Sequence, residues 1–277
     1  MEFLFEFLEY SFNIRQKLQL FAYIHKKACT HGIFFLCSAF NFFLPALELF
    51  EQEVIAVIGP QSTAVSRFVA HMATATQVPL LSFAVTDPSF SEHQYPYFFR
   101  IAHSDAMQMQ AIASFIARYG WRDAVFVYVD DDYGSSGIAA FSDAVQPVGV
   151  HMVEKVAVMP DSDNTTISGV LTYLSSMQSR VYVVHMPQNL SLLFFSAAKN
   201  QGMMTSGYVW IASDFIISTL SSSPLETSVF NSLQGVIGFR AYVPESPELK
   251  AFVSKWNNRS SLEESASEML IYGFYAY

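Results

Sequence analysis

A chain of 277 residues with 52% hydrophobic and 14% charged residues can bury one large core or two lobes, which argues against disorder. Its formal net charge is -9, and beyond residue 44 it carries 11 Lys/Arg against 21 Asp/Glu, which argues against a nucleic-acid backbone as partner. Both cysteines, Cys29 and Cys37, lie near the start, so no disulfide framework is legible in the body of the chain.

Residues 1–44 form an atypical N-terminal segment. The first 50 residues hold 11 of the 26 phenylalanines, without a clean period of 2 or 3.6. The run "IFFLCSAFNFFLPALELF", residues 33–50, follows Lys26 and Lys27 and is a candidate signal-anchor. Asn41, Pro45 and Glu48 interrupt it short of the roughly 18 apolar residues that a span requires. "MEFLFEFLEY" has three Glu where a secretory signal has a basic stretch, so no signal peptide is recognisable, and nothing after residue 50 reads as a span.

From Val54 on, short β-branched runs alternate with helical periods. Val54 to Ile58 reads as a strand, and Val65, Phe68, Val69, Met72 and Ala73 then fall at helical spacing. Pro79 to Ala84 predicts a second strand, stopped by the turn set Thr86-Asp87-Pro88-Ser89. Tyr97 to Ile101 is strand-like. A helix over Ser104 to Tyr119 follows, with Ser104 or Asp105 as N-cap and Gly120 as C-cap. "DAVFVYVDDDYG" reads as a buried strand ending in an acidic turn. The pattern continues as helix Ser135 to Val145, strand Val150 to Val158, helix Thr166 to Met177, strand Val181 to His185, helix Asn189 to Asn200 and strand Tyr208 to Ile211. Apolar strands alternating with helices predict a parallel sheet with helices on both faces, a doubly wound α/β architecture.

In such sheets ligands sit beyond the carboxyl ends of the strands. "IGPQSTAVS", residues 58–66, places Ser62 and Thr63 in the first turn of a helix directly after a strand, where hydroxyls and open N–H groups suit an anion such as an α-carboxylate. The plainer alternative is that Ser62 only caps the helix. "SFAVTDPSF" brings Ala84 and Thr86 to the same edge, where a carbonyl and a hydroxyl suit an ammonium, the alternative being an ordinary Thr-Asp-Pro turn. "DDDYG" puts Tyr133 at a strand end, an aromatic face to cover a ligand. "WIASDF" ends at Asp214, a carboxylate for an amino group or a helix N-cap. Asp130-Asp131-Asp132 lacks a phosphate loop beside it, so no metal and no cofactor is expected. No nucleophile elbow, zinc-protease helix or Walker loop is present, and no enzyme is expected. Asn164, Asn189 and Asn258 head N-x-S/T triplets and are candidate glycosylation sites.

Taken in order, "ALELFEQEVIAVIGPQSTAVS", "VPLLSFAVTDPSFS", "YPYFFRIAHSDAMQMQAIASFIARYGWRDAVFVYVDDDYGSSGIAAFSDAV" and "VWIASDF" closely resemble the amino-terminal domain of plant glutamate receptor-like channels. The resemblance covers about residues 45–277. It implies a two-lobed type I periplasmic-binding-protein fold, or Venus flytrap, with doubly wound parallel sheets and an incomplete first lobe, as in a truncated copy. The implied division is 45–119 for the partial first lobe, 120–240 for the second, and 241–277 for a crossover and return helix towards the first.

The resemblance further implies a small amino-acid-like ligand in the interlobe cleft. Thr63 would hold its carboxylate, Ala84 and Thr86 its ammonium, Tyr133 would cover it, and Asp214 would neutralise it. Thr63 stands where many relatives have Ser, which keeps the hydroxyl and adds a methyl. The implied setting is the extracellular side of a membrane receptor with other receptor subunits as partners. The alternative is a subunit-assembly module with a vestigial cleft.

Overall fold

A computed structural model describes residues 46, 50, 54, 56–60, 62–82, 84–214, 227–240, 242, 245–251 and 254. The expectations for residues 1–44, for the apolar run 33–50 as a whole, for Asn258 and for most of 241–277 lie outside the described residues. The described residues divide into two compact units, those up to 85 with 90–102 in one, and 86–89 with those from 103 to 254 in the other.

In the first unit, β1 (Val57–Ile58), β2 (Leu80–Ser82) and β3 (Phe98–Arg100) form a parallel sheet in that order. Helix α1 (Thr63–Thr76) connects β1 to β2. Its Val65, Val69, Ala70 and Ala73 join Val57, Leu80 and Phe98 in one buried cluster. The helix stops at Gln77, which takes a left-handed φ of 58° and lets the next amide, Val78 N–H, reach back to the Ala73 carbonyl at 3.0 Å. Beyond β2, Phe90, Tyr95 and Phe98 stack as a buried aromatic group, with Phe90 4.6 Å from Phe98 by ring centroids.

The second unit holds a five-stranded parallel sheet ordered β5-β4-β6-β7-β8. Its strands are β4 (Asp123–Val129), β5 (His151–Val158), β6 (Val181–His185), β7 (Val209–Ala212) and β8 (Val236–Gly238). Helices α2 (Asp105–Arg118) and α3 (Asp132–Val145) pack on one face, and α4 (Asn164–Ser175) with α5 (Gln188–Asn200) on the other. A short α6 (Thr227–Ser232) precedes β8.

Strand periodicity explains why the central strands read as unbroken apolar runs. Ala124, Phe126, Val181, Val183 and Ile211 face the α2/α3 layer, where they meet Met109, Ile112, Ile116 and Phe141. Their neighbours in sequence, Val125, Val127, Tyr182, Val184, Trp210 and Ala212, face the α4/α5 layer and pack on Ile167, Leu171, Phe194 and Phe195. Each fully buried Val or Phe contributes roughly 1.5–3 kcal/mol by leaving water. The fold is therefore α/β with parallel sheets, as expected of a type I periplasmic-binding-protein-like protein.

Differences from the sequence expectation are local. The strands of the first unit are shorter than predicted: β1 begins at Val57 and β2 ends at Ser82. Helix α3 starts at Asp132 rather than Ser135, because the Asp131 carboxylate accepts from Gly134 N–H at 2.9 Å and opens the helix early. Asp163 does the same for α4 through Thr166 N–H at 2.8 Å. For α2 the N-cap is Ser104, whose hydroxyl accepts from Ala106 N–H at 3.3 Å, and Gly120 follows the helix at a left-handed φ of 75°. The sequence placed no strand beyond Ile211; β8 nevertheless extends the sheet by pairing with β7, Trp210 opposite Val236.

Candidate functional site

In the first unit, the turn Gly59-Pro60 leaves β1 with Gly59 at φ 105°, a conformation that favours glycine. Ser62 occupies the N-cap position of α1 in extended conformation, but its side chain makes no capping bond, and it is exposed. The simple capping role is thus not performed by its hydroxyl. Thr63, the first helical residue, is buried at 7% exposure. Ser66 one turn on is fully buried and donates to the Pro60 carbonyl at 3.2 Å, which pins the turn to the helix. Ala84 follows β2, and β2 pairs directly with β1, so Ser62, Thr63 and Ala84 come from the carboxyl ends of neighbouring parallel strands. The loop after β2 is fixed by Val85 N–H donating to the buried Ser82 hydroxyl at 3.1 Å.

In the second unit, the Thr86 hydroxyl donates to the Asp105 carboxylate at 2.7 Å, while Asp105 N–H donates to the Thr86 carbonyl at 2.9 Å. Asp105 is buried. The two residues are 19 apart in sequence, and no local signal links them. The Thr-Asp-Pro turn is also present: Asp87 accepts from Ser89 N–H at 2.8 Å.

Tyr133 follows β4, His185 ends β6, and Asp214 follows β7. Because β4, β6 and β7 are consecutive neighbours, all three residues stand at one edge of the second sheet. The rings of Tyr133 and His185 stack at 4.1 Å, and the Tyr133 hydroxyl lies 3.3 Å from His185 Nδ1. Ser213, beside the half-buried Asp214, places its hydroxyl 3.1 Å from the same nitrogen. The structure therefore draws Tyr133 and Ser213 to one imidazole. His185 is not among the candidate site residues of the sequence; a polar residue at the end of an otherwise apolar strand is the signal that marks it.

Burial pushes the His185 imidazole down to about 4, partly opposed by a bond involving the Tyr133 backbone and by the field of Asp131. Burial raises the Asp131 carboxyl, against the amides of Gly134 and Tyr133 that favour its charged form. Asp131 is engaged as a helix cap, and among the described residues no group of three His, Cys, Asp or Glu is arranged to hold a metal ion. Asn164 is exposed at the start of α4, and Asn189 is exposed near the start of α5. The Ser191 hydroxyl that completes the second triplet is buried and donates to the Met186 and Pro187 carbonyls at 3.1 and 2.9 Å.

Parallel sheets whose carboxyl edges carry hydroxyl, aromatic and acidic side chains are where α/β proteins of the ligand-binding class take their ligands. The chain belongs to the receptor family ligand binding region, whose family model matches residues 23–277. It is 39% identical over 87% of its length to glutamate receptor 3.4 of Arabidopsis thaliana, covering 25% of that protein. To glutamate receptor 3.1 of Oryza sativa subsp. japonica it is 33% identical over 87% of its length and covers 26% of that protein. Against glutamate receptor 2.7 of Arabidopsis thaliana the identity is 36% over 84% of the chain and 24% of the relative. The chain thus corresponds to a ligand-binding domain of the plant glutamate-receptor type and spans about a quarter of the length of these relatives. Among the described residues no helix is long and apolar enough to cross a membrane.

Proposed function

We infer that this domain serves a glutamate receptor-like ligand-gated cation channel by binding a small amino-acid-like ligand on the extracellular side, with other receptor subunits as its partners. The observation that supports the reading best is the start of α1. Ser62 has cap geometry without a cap bond, so its hydroxyl is not spent on the helix beside the N–H groups of the first turn. Such groups favour a carboxylate by direct donation and by the positive end of the helix dipole.

Each unit contributes by itself. The first offers Ser62 and Thr63 to the α-carboxylate and Ala84 to the ammonium. In the second, the Thr86 hydroxyl already donates its hydrogen bond to Asp105, so its oxygen is left to meet an ammonium as an acceptor. Tyr133 supplies an aromatic face and Asp214 a negative charge, both suited to a cationic amino group.

Titration calorimetry of the chain with a panel of free amino acids tests this. Saturable heat with at least one of them is expected, weakened tenfold or more by Asp214→Asn. Absence of heat with every member at millimolar concentration, in a folded sample, would sink the reading. A concentration-dependent dimer indifferent to Thr86→Ala and Asp214→Ala, with no heat, would point to assembly instead.

A further inference from the structure

His185 is a buried polar group that the ligand-binding reading leaves without a role. It is fully buried at the end of β6, with the Tyr133 ring stacked at 4.1 Å on one side and the Phe126 ring 6.0 Å away. Gly137 of α3 closes a further side: a Cβ there would stand 2.6 Å from His185 Nε2, closer than packing allows. Nε2 has no hydrogen-bond partner, whereas Nδ1 lies 3.1 Å from the Ser213 hydroxyl and 3.3 Å from that of Tyr133.

A neutral imidazole carries its proton on one nitrogen and a lone pair on the other. A buried N–H with no acceptor costs more than an unfilled acceptor, which favours the proton on Nδ1, where two oxygens are in reach. The opposite tautomer would leave Nε2–H without a well-aligned acceptor, since the Tyr133 backbone that acts on the ring makes no geometric hydrogen bond to Nε2, and would offer a single lone pair to two hydroxyls. With the proton on Nδ1, the ring donates to Ser213, with Tyr133 as second acceptor, and turns its bare nitrogen to Gly137, where α3 has no side chain.

We propose that His185 is the positioning residue for Tyr133: by stacking beneath the phenol and donating from Nδ1 to Ser213 and Tyr133, it fixes that ring at the carboxyl edge of the second sheet, and Gly137 provides its seat. The part concerning a ligand rests on Tyr133 being the cover suggested above; the positioning itself does not.

The experiment is NMR on the chain with labelled histidine and tyrosine side chains. The Nδ1–H tautomer of His185 and slowly flipping ring signals for Tyr133, identified by Tyr133→Phe, are expected. His185→Ala should make the Tyr133 ring flip fast on the shift timescale. His185→Asn, whose amide nitrogen can stand where Nδ1 does, should keep it partly held and guards against loss of fold in the alanine variant. Gly137→Ala should lower Tm by several degrees in the parent and leave it unchanged or raised on the His185→Ala background. A proton on Nε2, unchanged Tyr133 signals in His185→Ala, or equal Gly137→Ala effects on both backgrounds would overturn the proposal. Calorimetry with glycine and L-glutamate on the same variants separates the two readings. Binding lost tenfold or more in His185→Ala together with a freed Tyr133 supports both. A freed Tyr133 with no heat from any variant, the parent included, supports positioning and removes the ligand role.

Discussion

Thr63 is buried at the first position of α1, so removing its hydroxyl while keeping its shape isolates one interaction. Thr63→Val is expected to weaken amino-acid binding about tenfold, the worth of one hydrogen bond to a charged group, with Tm within a few degrees of the parent. Calorimetry beside thermal unfolding checks both halves. His185 acts on stability through pH. Its folded pKa of about 4 lies below the ordinary 6.5, so the unfolded chain takes up a proton first as pH falls. Stability is therefore undiminished above 6.5 and declines towards pH 4, by roughly 3 kcal/mol in all and about 2 kcal/mol by pH 5. Asp131, raised by burial, binds its proton more tightly when folded and offsets part of the loss at the acid end. Urea midpoints at pH 7 and pH 5 should differ accordingly in the parent and differ less in His185→Phe.

The start of α3 shows how a secondary-structure element is decided by its cap. The triple aspartate reads in sequence as an acidic turn, yet Asp131 is the N-cap and Asp132 the first helical residue, which complements the helix dipole. Asp131→Ala should cost about 1 kcal/mol by loss of the cap to Gly134 N–H, read as a lower urea midpoint with unchanged slope. Gly134→Ala should be much worse, because a Cβ there would overlap the Val129 backbone carbonyl. The same contrast separates what periodicity reveals from what it hides. Met109, Ile112, Ile116 and Phe141 announced the faces of α2 and α3 through their spacing alone. β8 did not announce itself, since Val236 and Ile237, two residues between glycines, show no period and become a strand only by pairing with β7.

At the scale of the molecule the two units differ in how strongly their strands are held. In the second unit β4, β6 and β7 lie between helices on both faces, and Val125, Val127, Val183 and Ile211 are fully buried. In the first unit the strands are two or three residues long. Hydrogen exchange read by mass spectrometry should therefore show the slowest amides in β4, β6 and β7, and exchange at least tenfold faster in β1 to β3. Equal protection would contradict that ranking. Phe194→Ala, which opens a void beside Phe195 and Trp210, should cost about 3–5 kcal/mol and lower protection throughout the second unit.

The amino-acid order alone determined the alternation of strands and helices, the two-sided burial of the sheet, and the strand-end residues Ser62, Thr63, Ala84, Tyr133 and Asp214, because these follow from periods of 2 and 3.6 and from turn chemistry that neighbouring residues enforce. Tertiary structure decided that Ser62 leaves its helix uncapped by its side chain, that the Thr86 hydroxyl donates to Asp105, and that His185 gathers Tyr133 and Ser213 over a glycine. Those are contacts between residues 19 to 52 positions apart, and only the register of parallel strands and the packing of helices on them brings such partners within a hydrogen bond's length.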